Sequence, residues 1–214
     1  LLTDRFSNGN TANDHAYGRA TDANGNALSG WNTAPGTFHG GDFAGITNKI
    51  NEGYFTGLGV NAIWISAPYE QIHGFCGSSD SSGAFAHYSY HGYYVLDYTE
   101  TDANFGTKEE FKQMVDTAHE NGIRVVMDIV MNHSGYNTIA DMETYNFGTL
   151  KSGYASQKYL LSSVSGYHNY IDYSSSSSDW AKWWGPSWVR SGLPGYSEGG
   201  GDLTGSLAGL PEIG

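Results

Sequence analysis

Apolar positions along the chain fall into two periods, and their order lays out alternating strands and helices. The stretch Arg124-Val125-Val126-Met127-Asp128-Ile129-Val130-Met131-Asn132-His133 is a continuous apolar run with one carboxylate inside it and an Asn-His pair at its exit. Such a run predicts a strand buried on both faces. An acid within it is costly unless paired or hydrogen-bonded. Upstream, Phe111, Met114, Val115 and Ala118 recur at helical spacing. Thr107 with Glu110 forms a capping-box pattern ahead of them, and Gly122 stops the helix. Ala62–Ile65 reads as a short buried strand. Ile46, Ile50, Tyr54 and Leu58 predict an earlier helix, closed by Gly59 and weakened by Gly53 and Gly57. Leu1–Phe6 reads as the end of a strand.

The predicted order is strand, helix, strand, helix, strand. Long polar loops follow the strands (Ser7–Gly41 and Ala67–Phe105), whereas the helices end in short turns. That is the grammar of a β/α barrel or a doubly wound sheet, and it puts function at the strand C-termini. Loops this long usually carry a function or a ligand. After His133 the periodicity dissolves into Gly-, Ser-, Tyr- and Trp-rich sequence, with a Ser174–Ser178 run read as a solvated loop. Three strands cannot close a barrel of eight strands and about 250 residues. The expectation is therefore a segment of a larger protein, with a smaller open fold as the alternative.

Composition narrows the partners. The 214 residues carry a formal net charge of −12 with only 10 Lys and Arg, and no polybasic run. Nucleic acid and anionic membrane are not expected partners. Aromatic residues make up 14% and lie among many Asn, Asp and Ser, which suits a neutral, hydroxyl-rich ligand. Cys76 is the sole cysteine, so no disulfide closes within these residues; it is a buried free thiol or half of a bridge to something outside them. No apolar run reaches transmembrane length, and the first residues lack the features of a secretion signal.

Five motifs in order resemble the N-terminal part of the α-amylase family of glycoside hydrolases. Asp128-Ile129-Val130-Met131-Asn132-His133 is similar to the family's first conserved region, at the end of its third barrel strand. Gly59 to Ser66 resembles its second-strand motif, and Tyr90-His91-Gly92-Tyr93-Tyr94 the loop lining the sugar subsite beside the cleaved bond. Leu210-Pro211-Glu212-Ile213 resembles the motif near the end of the inserted B domain. Asp4 to Asn10 with Gly40-Gly41-Asp42-Phe43 resembles the first-strand loop of cyclodextrin glycosyltransferases and related amylases. The overall texture resembles the periplasmic α-amylases of enteric bacteria. The implied fold is α/β: a partial (β/α)8 TIM barrel, strands 1–3 with their helices, with an inserted loop-rich B domain. Residues 1–133 would form the first β/α units and residues 134–214 the B domain, completed by the remainder of its own barrel.

The resemblance also assigns roles, each beside a plainer alternative. Asp128 would orient an arginine arriving on the next strand, or be a paired core acid. Tyr93 would stack on the sugar next to the cleaved bond with His91 binding a hydroxyl beside it, or both would be packing beneath a loop. His133 would bind a sugar hydroxyl, or be a satisfied loop histidine. Tyr88, Tyr90 and Tyr94 read as packing, and Trp180, Trp183, Trp184 and Trp188 as a satellite core. Calcium is the implied cofactor. Asn132 and Glu212 would hold the ion that pins the B domain, although Asp is usual where Glu212 stands and a solvated acid is its alternative. Asn8, Asn10, Asn13, Asp14, Gly40 and Asp42 would form a second calcium site, or simply turns.

The implied activity is retaining hydrolysis of α-1,4-glucosidic bonds in starch, glycogen or maltooligosaccharides, in a periplasmic or secreted protein. Transglycosylation, as in cyclodextrin glycosyltransferases, is the alternative within the fold. A non-catalytic sugar-binding relative and a calcium-stabilised carbohydrate-binding module are the others. The catalytic carboxylates of the family come from later strands, so the segment alone is not expected to hydrolyse starch.

Overall fold

The computed structural model describes residues 1–21, 26–80, 83–131 and 133–135, together with Asp141 and Ser152. The elements in chain order are α1 (Thr3–Phe6), a 3-10 turn (Ala16–Gly18), α2 (Phe43–Asn51), α3 (Tyr54–Gly57), β1 (Ala62–Ile65), β2 (Tyr69–Gln71), β3 (Cys76–Asp80), β4 (Gly83–His87), β5 (Val95–Thr101), α4 (Lys108–Glu120) and β6 (Arg124–Met127).

The centre is a parallel pair, β1 beside β6, in register from Ala62↔Arg124 to Ile65↔Met127. Ile63 and Ile65 alternate into a core shared with Phe43, Ile46 and Ile50 of α2 and Met114 and Ala118 of α4. Trp64, on the other face of β1, is 62% exposed. The period of 2 in a strand produces this division. Phe105 closes the core from the loop before α4, with its ring 6.2 Å from that of Phe43. The other two pairs are antiparallel: β2 with β5, in an irregular register, and the hairpin β3–β4.

Helix α4 forms as its pattern requires. The Thr107 side chain accepts from the Glu110 N–H at 3.2 Å, and the Glu110 carboxylate accepts from the Thr107 N–H at 2.8 Å. Such a cap stabilises a helix by about 1 kcal/mol.

Four expectations need correction. The helix expected over Ile46–Leu58 starts earlier, at Phe43, because the Asp42 carboxylate accepts from the Gly45 N–H and caps it. It ends at Asn51, since Gly53 stands at φ +74, a left-handed conformation that breaks the helix. Tyr54 and Leu58 are consequently exposed, and Phe55 takes the core position.

Leu1 alone behaves as strand: its amino group donates to the Trp64 carbonyl, and its own carbonyl accepts from the Ser66 N–H. The chain then turns into α1, which brings the buried Asp4 carboxylate onto the N–H groups of His39 and Gly40.

The loop expected over Ala67–Phe105 contains β2 to β5. The strand expected over Arg124–His133 stops at Met127, because β1 offers only four pairing residues; the Asp128 N–H makes the last ladder bond, to the Ile65 carbonyl at 3.1 Å. Within it Val126 and Met127 are exposed, so two-sided burial does not hold among the described residues.

Asn132, Glu212, the four tryptophans of 180–188 and nearly all of the expected B domain lie outside the described residues.

Candidate functional site

The exits of β1 and β6 meet the loop that follows β4. A cavity of about 290 Å³ opens there, lined by Leu1, Trp64, Ser66, His91, Tyr93 and Asp128, among others. The Tyr93 hydroxyl donates to Asp128 Oδ2 at 2.9 Å, so Asp128, half-buried just past the strand end, has Tyr93 as its partner. The Tyr93 N–H donates to His91 Nδ1 at 3.0 Å, which makes Nδ1 an acceptor and puts the ring proton of neutral His91 on Nε2. The two rings stack with centroids 5.4 Å apart at 24°. His133 Nε2 lies 3.1 Å from the Tyr93 carbonyl and, facing an obligate acceptor, carries the hydrogen. The Tyr98 hydroxyl donates to the His133 carbonyl at 2.7 Å and fixes that residue's backbone. The structure thus brings Tyr93, His91, His133 and Asp128 together.

Electrostatics keep the imidazoles neutral. Burial pushes His91 down to about 3, with further lowering by His87, His133 and the Arg5 guanidinium. Burial also lowers His133, partly offset by its bond to the Tyr93 carbonyl. The Tyr93 phenol is raised, first by its hydrogen bond to Asp128 and then by burial. Neutral rings with one N–H suit hydroxyl ligands better than charged ones would.

A second cluster lies in the long polar loop. Asn8 Nδ2 donates to Asp14 Oδ1 at 2.7 Å. Gly40 is pressed against both, since a Cβ there would lie 2.4 Å from Asn8 Nδ2 and 2.7 Å from Asp14 Oδ1. Asn13 Nδ2 reaches Asp42 Oδ2 at 3.5 Å, and the buried Asn13 Oδ1 has no hydrogen-bond partner among the described residues. Asn10 Oδ1 instead closes a turn on the Ala12 N–H at 3.1 Å. The Asp42 carboxylate accepts from the N–H groups of Gly9, Asn10 and Gly45 at 2.9, 2.8 and 2.6 Å, which makes it first a helix cap and loop clamp. Burial raises its pKa and these amides hold it back. No group of three or more His, Cys, Asp or Glu suited to a metal occurs among the described residues. Any ion here would depend on two carboxylates, Asp14 and Asp42, with amide and main-chain oxygens. Asn132 and Glu212, the other expected ligands, lie outside the described residues.

Pattern reading missed the residues beneath the cleft: Gln71, Ser89, Arg19 and Asp102, all buried. Each is a single polar residue in a stretch without regular period, and only its burial marks it.

The imidazole shift has a pH consequence. Folded His91 stays neutral, whereas the unfolded ring takes up a proton near its ordinary 6.5. The folded state therefore binds fewer protons between about 6.5 and 3, and stability falls as pH drops through that window. Asp4 acts in the opposite sense: burial raises its carboxyl to about 6, so its contribution grows as pH falls from 6 toward 3.8. His91→Gln is expected to lose less stability than the wild type between pH 7 and pH 5, read from urea midpoints. Equal acid losses in the two proteins would rule this out.

Comparison with known proteins accounts for the arrangement. Residues 1–186 match the family model described as alpha amylase, catalytic domain. The chain is 47% identical over 225 aligned residues to the periplasmic alpha-amylase of Escherichia coli, covering all of this chain and 32% of that protein. It is 36% identical over 176 residues to a cyclomaltodextrin glucanotransferase of Bacillus sp., covering 79% of this chain and 22% of that one. The chain thus spans a third or less of the length of these relatives. The crystal structure of CldA, a cyclomaltodextrin glucanotransferase with a three-domain ABC distribution, superposes with a TM-score of 0.64 at 26% identity, over all of this chain and 37% of that one. The chain belongs to the alpha-amylase family, whose catalytic domain is a (β/α)8 barrel.

Proposed function

We propose that this chain supplies substrate-subsite and calcium-site residues to an enzyme that hydrolyses α-1,4-glucosidic bonds in starch, glycogen or maltodextrins with retention of configuration. The observation that carries the reading is the convergence of Tyr93, His91, His133 and Asp128 where β1 and β6 end. In this reading the Tyr93 ring, 44% exposed, stacks on the sugar beside the cleaved bond. His91 and His133 meet its hydroxyls, and Asp128 orients its neighbours. Retention requires two carboxyl groups about 5–5.5 Å apart, one attacking the anomeric carbon and one protonating the leaving oxygen. The residues named here bind and orient the sugar ring rather than react with it. The periplasmic alpha-amylase of Escherichia coli supports a periplasmic or secreted location. Transglycosylation is the second reading, favoured by the relatives named as cyclomaltodextrin glucanotransferases.

Calcium belongs to the same proposal. The ion takes six to eight oxygens and braces a loop mechanically. Asn8, Asn13, Asp14, Asp42 and the Gly40 carbonyl would hold it, and the buried Asn13 Oδ1, without a hydrogen-bond partner among the described residues, is the feature that fits it. Asn132 and Glu212 would hold a second ion.

Two measurements test these readings. In the protein carrying this chain, maltoheptaose is expected to yield α-anomeric products by proton NMR, with Tyr93→Ala lowering kcat/KM at least about tenfold, as the loss of a stacking contact of roughly 1.4 kcal/mol would. β-Anomeric products, or a Tyr93→Ala enzyme equal to the wild type, would remove the reading. Chelation of calcium is expected to lower the melting temperature, since an ion at 100 times its Kd adds about 2.7 kcal/mol of stability. Asn13→Ala would diminish that response. An unchanged melting temperature on chelation would reject the calcium assignment.

A further inference from the structure

Among the described residues the Tyr93 side chain makes one hydrogen bond, to Asp128, and its exposed ring rests on His91, itself two residues away, so the backbone of this loop sets where the ring stands. That backbone lies between two anchored neighbours. Gly92, at φ +94, is pressed so close to the exit of β1 that a Cβ would lie 2.6 Å from the Ala67 carbonyl oxygen. Tyr94 is held on its other side: its carbonyl accepts from the Ile72 N–H at 2.9 Å, and its N–H donates to Gln71 Oε1 at 2.8 Å.

Gln71 is fully buried at the end of β2, and both ends of its side chain are committed. Oε1 also accepts from the Ser89 hydroxyl at 2.7 Å, and Nε2 donates to the Tyr69 carbonyl at 2.7 Å. The amide orientation is fixed, because the Tyr94 N–H can only donate and the Tyr69 carbonyl can only accept. Its main chain is held as firmly. The Gln71 N–H donates to Asp102 Oδ2 at 2.9 Å, and its carbonyl accepts from Arg19 Nη2 at 2.8 Å. Arg19 and Asp102 are themselves a fully buried ion pair at 2.7 Å.

We propose that Gln71 is a positioning residue for the sugar-stacking loop: its side-chain amide fixes Ser89 and Tyr94, and the Arg19–Asp102 pair beneath fixes Gln71. This deepens the proposed function and rests on Tyr93 being the stacking residue. Met is close to Gln in length and flexibility but neither donates nor accepts well. In Gln71→Met the Ser89 hydroxyl loses its buried acceptor and the Tyr94 N–H keeps only its longer bond to Ser89 Oγ at 3.1 Å, so the loop shifts to recover what is lost.

The test is a double-mutant cycle on maltoheptaose binding by the protein carrying this chain. Gln71→Met is expected to weaken binding roughly tenfold to a hundredfold, the scale of an ångström misplacement. On a Tyr93→Ala background the same substitution is expected to change binding little, because Gln71 acts through Tyr93. Additive losses, as a merely structural role gives, would overturn the proposal. If Tyr93→Ala weakens binding and Gln71→Met does not, the positioning role fails alone. If Tyr93→Ala has no effect, the stacking reading fails and takes this one with it. Should Gln71→Met not fold, Ser89→Ala removes one of the same bonds and is read in the same cycle. Gln71→Glu adds a pH signature: its protonated carboxyl again offers one donor and one acceptor, so binding relative to the wild type recovers as pH falls. A constant ratio across pH would contradict the proposal.

Discussion

A guanidinium with no solvent contact governs the described structure. Arg19 is buried, and Nη1 donates to Asp102 Oδ1 and Asn104 Oδ1, each at 2.7 Å. Nη2 donates to the Gln71 and Ile72 carbonyls at 2.8 and 3.0 Å. Its planar face is covered by the rings of Tyr17 and Phe38. A pair of this kind adds little net stability over an apolar substitute, because desolvation costs about what attraction returns. Its force lies in exclusivity: with both charges buried, only arrangements that bring Arg19 to these four hydrogen-bond partners avoid an unpaired ion. The long polar loop is therefore pinned to β2 and β5 at one point, although it has little apolar surface of its own to bury.

The consequences spread in two directions. Asn104 passes the restraint to the loop that carries the candidate calcium ligands, donating to the Asn13 and Asp14 carbonyls at 2.9 and 3.1 Å. Gln71 passes it to the loop that carries Tyr93. Tyr17 adopts φ 58, an uncommon conformation for a residue with a side chain. Such strain costs on the order of 1–3 kcal/mol. Stacking on His73 at 3.7 Å and the nearby Arg19 charge offset part of it. The polar loop and the cleft thus share one foundation, which is why the sequence can place their residues far apart and still fix them.

How much of this was legible in the sequence follows from how each element is stabilised. Helix α4 was readable because its cap, stripe and stop lie within sixteen consecutive positions, Thr107 to Gly122. Strand β1 was readable because Ile63 and Ile65 are unbroken by turn residues. The β2–β5 pair was not, since β2 has three residues and its register shifts twice, leaving no period to detect. The start of α2 was misplaced because an Asp cap precedes the apolar stripe rather than belonging to it. The cleft residues were found by their resemblance to a family motif, and the geometry brings them together. The polar knot below them was missed because a lone Arg in a loop resembles a solvated one; only the fold, by burying it, gives it a role. The residues expected to form a calcium loop are brought together only in part. Asn8, Asp14 and Gly40 adjoin, while Asn10 closes a turn and Asp42 caps α2.

Native-state hydrogen exchange in Arg19→Met measures the dependence most directly. Removing one partner of a buried pair leaves the other uncompensated at roughly 3–5 kcal/mol, or about 10²- to 10⁴-fold in local opening. The N–H groups of Gln71, Ile72 and Tyr94 are expected to exchange faster by about that factor, with those in the middle of α4 far less affected. Unchanged protection at Gln71 and Tyr94 would contradict the account, because the loops would then be held by something other than the ion pair.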